Sequence, residues 1–236
     1  MTDYRKDFPL LSEIEAGAGD GKKWVYITAM KQKFTVLRSR CVPLGRDNVD
    51  TDQLIPARYL KATNRDEAFF GAHLFHDWRY DEKGSPRPDF VLNDPRFGGE
   101  VLLGGANFGC GSSREHAAWA LGGYGFRAVV ASSFADIHRN NELNNFVLPV
   151  EVTPQFLQML LSAVRNNPQE YVEIDLARQR ITRMLTGDSE SFPVSSYKRH
   201  CFMQGLDDMD YLLSQQDRVV EWERKHKIAW IDEVTK

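Results

Sequence analysis

The sequence predicts an α/β fold, and three observations support that prediction. Apolar runs at 100–103 and 127–131 flank a helical stretch that starts near Ser113, which is the pattern of a βαβ unit. Segments 171–175 and 179–185 alternate polar and apolar residues, as half-exposed strands of a hairpin do. The third observation is a pair of helical patterns near the carboxyl terminus. A chain of 236 residues is long enough to bury one sizeable core.

The part of the chain before the βαβ pattern predicts less regular structure. Residues 1–32 lack a clean periodicity and predict an N-terminal extension, whereas Phe34-Thr-Val-Leu-Arg38 predicts a strand. Segment 42–49 is rich in turn formers and predicts a loop. Region 61–97 interleaves aromatic residues with prolines and glycines, which indicates an ordered excursion because aromatics at that density can bury surface. Excursions of this length are usually functional.

The part after the βαβ pattern predicts one more strand and three helices. Segment 146–152 predicts a strand at a sheet edge, because Pro149 cannot donate a hydrogen bond to a neighbouring strand. Thr153-Pro154 is a good N-cap and N1 pair for a helix that continues to about Val164. Two further helices are predicted near 196–204 and 208–225.

Composition excludes several functional classes. The formal net charge is −3, with acidic and basic residues mixed along the chain, so no basic field is available to hold nucleic acid or a membrane surface. No apolar run approaches the ~20 residues that span a bilayer, and the amino terminus lacks the apolar core of a signal peptide. We expect a soluble protein with a small-molecule site, no nucleic-acid partner and no membrane partner.

The cysteines indicate a reducing compartment and no cluster on this chain. Cys41, Cys110 and Cys201 are odd in number and far apart, which argues against a disulfide framework and favours the cytoplasm. Iron–sulfur clusters are normally held by three or four cysteines that include closely spaced pairs, and the sequence has no C-x-x-C. We therefore expect this chain to bind no cofactor by itself.

The segment that we call the glycine loop, residues 104–114, is the strongest candidate for a functional site. Its glycines allow close approach of the backbone to a ligand, and a helix is predicted to begin near Ser112. The start of a helix offers free amide groups and partial positive charge, so it favours a carboxylate or phosphate. Ser112 and Ser113 add hydroxyl groups, and the guanidinium of Arg114 can bind an anion with two hydrogen bonds.

A simpler interpretation of the same segment is a helix cap. Ser112 and Glu115 have the spacing of a capping box, in which the serine and the glutamate bond each other's backbone amides. A cap does not explain the glycines before it, nor Arg114, whose charge the helix dipole disfavours unless an anion is present. Two nucleotide motifs are excluded, because Gly111 is not followed by Gly-Lys-Ser/Thr and the loop lacks the third glycine of G-x-G-x-x-G.

Three segments together resemble the swivel domain of the aconitase superfamily. They are Asn107-Phe-Gly-Cys-Gly-Ser-Ser-Arg-Glu-His116, Asp50-Thr-Asp-Gln-Leu-Ile-Pro56 and Ser133-Phe-Ala-Asp-Ile137. Three more make the chain similar to the bacterial small subunits of 3-isopropylmalate dehydratase: Gly71-Ala-His-Leu-Phe-His-Asp-Trp78, Pro88-Asp-Phe-Val-Leu92 and Arg199-His-Cys-Phe-Met-Gln-Gly-Leu206. The resemblance spans roughly residues 33 to 228.

The resemblance implies a three-layer β/β/α swivelling domain of the aconitase type. The implied organisation is an N-terminal extension (1–32), the swivel domain (33–205) and a C-terminal helical segment (206–236). It also implies a partner, the large subunit of 3-isopropylmalate dehydratase, which would carry a [4Fe-4S] cluster. The implied reaction interconverts 2-isopropylmalate and 3-isopropylmalate by dehydration and rehydration, a hydro-lyase step of leucine biosynthesis.

The resemblance also assigns roles to residues of the glycine loop and of the segment after Asp50. By motif position Ser112 is the proton-transferring base, and Ser113 and Arg114 bind a substrate carboxylate. Asp52 matches an acidic position of the catalytic network, although an aspartate at a turn that bonds its own backbone explains many such segments. Arg58 is assigned to substrate binding, and Arg65 could equally serve.

Two alternatives stay open at this point. The same machinery could act on a related hydroxy-dicarboxylate, as in homoaconitase or a citraconate or methylmalate hydratase, since Lys61 beside Tyr59-Leu60 leaves the choice of substrate side group unsettled. Alternatively, the chain could be a non-catalytic anion-binding assembly module in which Ser112 only caps a helix.

Overall fold

The computed structural model describes residues 31–61 and 66–226. The predicted N-terminal extension therefore lies outside the described residues except for Lys31 and Gln32, and Arg65 lies outside them as well. Among the described residues, no helix has both the length and the apolar character needed to cross a bilayer.

Seven strands form one mixed sheet. They are β1 Val36–Pro43, β2 Val101–Leu103, β3 Ala128–Ala131, β4 Leu148–Glu151, β5 Tyr171–Asp175, β6 Arg180–Arg183 and β7 Ser189–Ser191. Their order across the sheet is β4-β3-β2-β1-β5-β6-β7, with parallel pairing from β4 to β1 and antiparallel pairing from β1 to β7.

The described helices lie between the parallel strands and after them along the chain. They are α1 Thr51–Leu54, α2 Glu67–Ala72, α3 His76–Arg79, α4 Glu115–Tyr124, α5 Asp136–Asn144, α6 Pro154–Asn166, α7 Ser196–Gln204, α8 Asp208–Ser214 and α9 Gln216–Lys225. Short 3-10 turns occupy Ala57–Tyr59 and Val91–Asn93.

The sheet has a core on each face because its parallel strands are buried on both sides. In β2, Val101 and Leu103 pack into one core with α6 and the antiparallel strands, while Leu102 packs into the other core with α2 and α4. This α/β arrangement confirms the predicted fold class and places the turns that follow the parallel strands along one edge of the sheet.

Several predicted elements are confirmed. The hairpin forms as β5 and β6, and Thr153 caps α6 by accepting a hydrogen bond from the amide of Phe156. Strand β4, which contains Pro149, lies at the edge of the sheet as predicted. Helix α7 ends at Gly205, which has the left-handed conformation that favours glycine.

The first strand is longer than the sequence predicts. It extends from Val36 to Pro43 because its first half pairs with β5 and its second half, from Cys41, pairs with β2. The predicted loop at 42–49 therefore begins two residues later than expected. Pairing with both β2 and β5 depends on tertiary contacts, which the local sequence pattern does not predict.

The prediction of one helix over 208–225 is wrong. The helix breaks at Gln215, whose amide donates to the carbonyl of Leu212 at 3.0 Å, and the Ser214 hydroxyl donates to the carbonyl of Tyr211 at 2.6 Å. Bonding of a serine hydroxyl to a preceding carbonyl bends helices, which accounts for the break.

Helix α5 was not predicted because its face toward the protein is polar. Its sequence, Asp-Ile-His-Arg-Asn-Asn-Glu-Leu-Asn, has no apolar period, and its buried residues are His138 and Glu142.

Candidate functional site

The glycine loop follows β2 at the carboxyl end of the parallel strands. Gly109 and Gly111 have φ values of +75° and +89°, a conformation that favours glycine. Gly105 meets the next segment so closely that a Cβ there would lie 2.3 Å from the carbonyl oxygen of Arg46. Two of the four glycines thus supply positive φ, and Gly105 supplies close packing.

The glycine loop is bound on one side to the segment that leads into α1. The amides of Gly109 and Cys110 donate to the carbonyl of Val49 at 2.8 and 3.1 Å, and the amide of Thr51 donates to the carbonyl of Cys110 at 2.9 Å. The Thr51 hydroxyl donates to the carbonyl of Ser112 at 2.7 Å. These bonds bring two parts of the sequence some sixty residues apart into one site.

The helix after the glycine loop starts later than predicted. Helix α4 begins at Glu115, and its N-cap is Arg114, with extended backbone and no side-chain cap. The predicted start near Ser112 and the Ser112–Glu115 capping box are therefore wrong. The physical reason is that the Ser112 carbonyl accepts its bond from Thr51, which holds the backbone out of the helical path.

The tip of the glycine loop is open to solvent. Ser112 and Ser113 are both exposed, and the hydroxyl of Ser112 caps no helix. Arg114, the next residue, keeps a side chain only 15% exposed. The structure thus presents two hydroxyl groups at the surface, and the next side chain, that of Arg114, is largely buried.

Arg114 forms an ion pair with Asp52 of α1, through Nη1 and Oδ1. The aspartate side chain is half exposed, whereas the arginine side chain is largely buried. The predicted residues Asp52, Ser112, Ser113 and Arg114 are therefore brought together, although Asp52 comes from a different segment.

Asp50, which the sequence analysis did not single out, organises the start of α1. Its carboxylate accepts the amide of Asp52 at 2.7 Å, and the Gln53 side chain accepts the amide of Asp50 at 2.9 Å. A Cβ on Gly111 would lie 2.1 Å from this carboxylate. The turn-forming role considered for Asp52 thus belongs to Asp50, and the Asp-x-x-Gln spacing of a capping box was the signal for it.

Two asparagines with positive φ were also missed. Asn48 and Asn107, with φ of 53° and 52°, bond side chain to side chain at 2.9 Å across the two segments. The Asn107 amide donates to the hydroxyl of Ser133 at 2.8 Å. Asparagine tolerates this conformation better than most residues, which is a weak signal in a sequence alone.

Arg58 occupies a different cluster. It lies in the 3-10 turn after α1 and forms an ion pair with Asp77 of α3, while its Nη2 lies 3.2 Å from Nδ1 of His76. The Arg58 guanidinium holds the pKa of Asp77 below its usual range. These groups line a cavity of about 470 Å³ together with Tyr59 and Tyr80.

Burial sets the protonation of two groups beside the loop. His116 packs against the rings of Phe70 and Trp119, and burial lowers its pKa, so the ring is neutral at pH 7. Burial and the nearby Asp50 raise the pKa of the Cys110 thiol, which stays protonated. No group of three or more His, Cys, Asp or Glu side chains could hold a metal ion within the described ranges.

Comparison with known proteins identifies the class of this fold. Residues 31–155 match the family model of the aconitase C-terminal domain, so the chain has the aconitase-type swivel fold. It is 51% identical over 196 residues to the 3-isopropylmalate dehydratase small subunit of Christiangramia forsetii, covering 83% of this chain and 95% of that one. The chain belongs to the family of 3-isopropylmalate dehydratase small subunits.

Other relatives agree with this assignment. The small subunit from Cytophaga hutchinsonii is 50% identical over 196 residues, covering 83% of this chain and 96% of the relative. The solved structure of 3-isopropylmalate dehydratase from Methanocaldococcus jannaschii is 27% identical, covers 81% of this chain and 99% of that chain, and superposes with a TM-score of 0.54.

Proposed function

We propose that this chain is the small subunit of a 3-isopropylmalate dehydratase, a hydro-lyase that interconverts 2-isopropylmalate and 3-isopropylmalate through a dehydrated intermediate. The observation that carries the proposal is the exposed tip of the glycine loop, where Ser112, Ser113 and Arg114 stand together beside Asp52. The relatives that this chain matches over nearly their whole length are named as small subunits of this enzyme, and this supports the same assignment.

Arg114 and the first amides of α4 suit a carboxylate of the substrate. The helix has no side-chain cap, so its first amides remain available to an anion, and the helix dipole adds partial positive charge. Arg114 is held in place by Asp52 before substrate arrives, so little rotational freedom remains to be lost on binding. Ser113 adds a hydroxyl donor. We assign Arg58 to substrate binding from the family resemblance, although its guanidinium pairs with Asp77 in a separate cluster.

We propose that Ser112 moves the proton. The proton leaves a carbon beside a carboxylate, which is a weak acid, so the base must be held against the substrate and the developing charge must be stabilised by fixed donors. A serine hydroxyl becomes a usable base only if its anion is stabilised, and we assign that stabilisation to Arg114 and to the dipole of α4, which starts three residues after Ser112. Asp52 completes the network through its pair with Arg114.

The proposal places the remaining chemistry on a partner. The sequence has three widely spaced cysteines and no C-x-x-C, and the family resemblance implies a cluster on the large subunit, so we assign the [4Fe-4S] cluster to that subunit. When bound, that cluster would act as a Lewis acid toward the departing hydroxyl group. This chain would supply the wall that binds the hydroxy-dicarboxylate and exchanges the proton. The three free cysteines fit a reducing compartment, so we place the complex in the cytoplasm.

Co-purification with a large subunit tests this proposal. We expect a brown complex with the absorbance of an iron–sulfur cluster and isomerase activity on 2-isopropylmalate, and no activity from either chain alone. Kinetics measured in parallel on homoaconitate and citraconate test the choice of substrate. A kcat/KM for either acid above that for 2-isopropylmalate would show that isopropylmalate is not the preferred substrate. Turnover by this chain alone would contradict the division of labour.

A further inference from the structure

A buried pair of ionisable side chains lies on α5. Nε2 of His138 lies 3.0 Å from Oε1 of Glu142, and both side chains are almost completely buried. Among the described residues, neither ring nitrogen of His138 and neither side-chain oxygen of Glu142 has a hydrogen-bond partner of good geometry, so the pair is a close contact without an aligned hydrogen bond. Burial raises the pKa of Glu142, and the charged form is costly there. Replacing a buried ionisable pair by apolar residues of similar volume is often neutral or stabilising, so stability alone does not account for this pair.

The His138 ring lies directly against the glycine loop. A Cβ on Gly109 would be 2.0 Å from Cδ2 of His138, so the ring occupies the space that any larger residue would need. The ring also packs near Phe108, with the ring centroids 5.7 Å apart. Gly109 therefore bends over the imidazole with φ of +75°, and the position of the ring limits the path of the backbone toward Ser112.

The backbone ties the same part of the loop to the start of α5. The amide of Phe108 donates to the carbonyl of Ser133 at 3.0 Å, and the amide of Ala135 donates to the carbonyl of Phe108 at 2.9 Å. The loop is thus held between Val49 on one side and the α5 segment on the other. His138 is the side chain that fills the gap on the α5 side.

We propose that His138 and Glu142 are positioning residues that set the path of Gly109 to Gly111 and thereby place the Ser112 hydroxyl. Glu142 orients the ring, and the ring supports the turn. The inference rests on the proposed function, in which Ser112 moves the proton. Arg114 has a separate anchor in Asp52, so the pair on α5 affects the proton-transfer group more than the carboxylate-binding group.

The kinetic test uses three variants in the reconstituted complex. Glu142→Leu removes the partner of the ring, and Glu142→Gln keeps a polar partner of the same size. Glu170→Leu is the matched control, because Glu170 is also a buried glutamate with a close partner, Arg183 of β6, on the antiparallel side of the sheet. We expect Glu142→Leu to lower kcat about 10- to 100-fold with KM nearly unchanged. Glu142→Gln should recover most of kcat, and Glu170→Leu should lower only the melting temperature.

Equal kcat values for Glu142→Leu and Glu170→Leu would overturn the inference. If Glu142→Leu does not fold, Gly109→Ala takes its place, since its methyl group would collide with the ring. A second change, His138→Ala, removes the two ring atoms nearest that methyl group, at 2.0 and 2.1 Å, leaves Cβ at 2.6 Å, and should restore part of the lost kcat. A kcat no different from that of Gly109→Ala alone would contradict packing of the turn against the ring.

Hydrogen exchange on the full chain separates this inference from the proposed function. We expect faster exchange in the glycine loop for Glu142→Leu than for Glu142→Gln or Glu170→Leu. If wild-type complex lacks isopropylmalate activity but this difference is present, the proposed function fails and the positioning role stands. If the complex is active and the loops of all variants exchange alike, the positioning role fails.

Discussion

Arg114, at the N-cap of α4, forms an ion pair with Asp52 of α1, a residue 62 positions earlier in the chain. The pair joins the two segments that carry the proposed chemistry and fixes the guanidinium at the tip of the glycine loop. Because the aspartate is half exposed, the pair is better suited to orienting a side chain than to stabilising the fold.

Removing the anchor of Arg114 should reduce activity without unfolding the protein. For Asp52→Asn we expect kcat/KM of the complex to fall about 10- to 100-fold because the guanidinium loses its orientation. A half-exposed pair contributes about 0–1 kcal/mol, so the melting temperature should hardly change. Asp94→Asn, which breaks the ion pair with Arg96, is the control and should retain full activity. Unchanged kinetics for Asp52→Asn would exclude the anchoring role.

Replacing Arg114 by lysine should weaken substrate binding. Lysine keeps the charge but cannot present the planar pair of donors that matches a carboxylate. Loss of one charge-assisted hydrogen bond of ~1.5–3 kcal/mol predicts a rise in KM of about ten-fold or more. Steady-state kinetics measure it, with Arg127→Lys as the control because Arg127 contacts the carbonyl of Lys33 instead. Equal KM values for the two variants would argue against carboxylate binding by Arg114.

A methyl group on Gly111 should lower stability and turnover more than backbone strain at a positive φ can account for. Gly111 and Gly125 both have positive φ, but a Cβ on Gly111 meets the Asp50 carboxylate at 2.1 Å, whereas a Cβ on Gly125 meets nothing within 4 Å. We expect Gly125→Ala to cost about 1–2 kcal/mol in unfolding free energy and to retain turnover. Gly111→Ala should cost more and abolish turnover. Chemical denaturation and kinetics measure both, and matching behaviour would show that the contact with Asp50 is unimportant.

The Arg58–Asp77 pair should add an acid-sensitive component to stability. Since Arg58 lowers the pKa of Asp77, the folded state favours the carboxylate. The gain is present above the ordinary carboxyl pKa of about 4 and is lost as the pH falls through the lowered value. Asp77→Asn should therefore melt below wild type at pH 7, and the difference should shrink below about pH 4. A constant difference across this range would contradict the pairing.

The sequence predicted those elements of the fold whose structure is determined by residues adjacent in the chain. The Thr153–Pro154 cap and the hairpin of β5 and β6 depend on adjacent residues and formed as expected. Helix α5 could not be predicted because it buries His138 and Glu142 in place of an apolar stripe.

The sequence also predicted the part of the candidate site that depends on chain neighbours and missed the part that depends on distant segments. Ser112, Ser113 and Arg114 are neighbours in sequence, so any structure of the loop keeps them close. The predicted start of α4 was wrong because Thr51, which lies in another segment, donates a hydrogen bond to the Ser112 carbonyl. The role of Asp50 and the pair between Asp52 and Arg114 depend on long-range contacts that spacing does not reveal.

The central claim is that the Ser112 hydroxyl moves the proton, and turnover by a Ser112→Ala complex tests it most directly. The hydroxyl caps no helix, so the variant should keep the melting temperature of wild type and its affinity for the large subunit. We predict that kcat for 2-isopropylmalate falls about 10²–10⁴-fold, the range for loss of a general base. A Ser112→Ala complex with wild-type kcat would contradict the account.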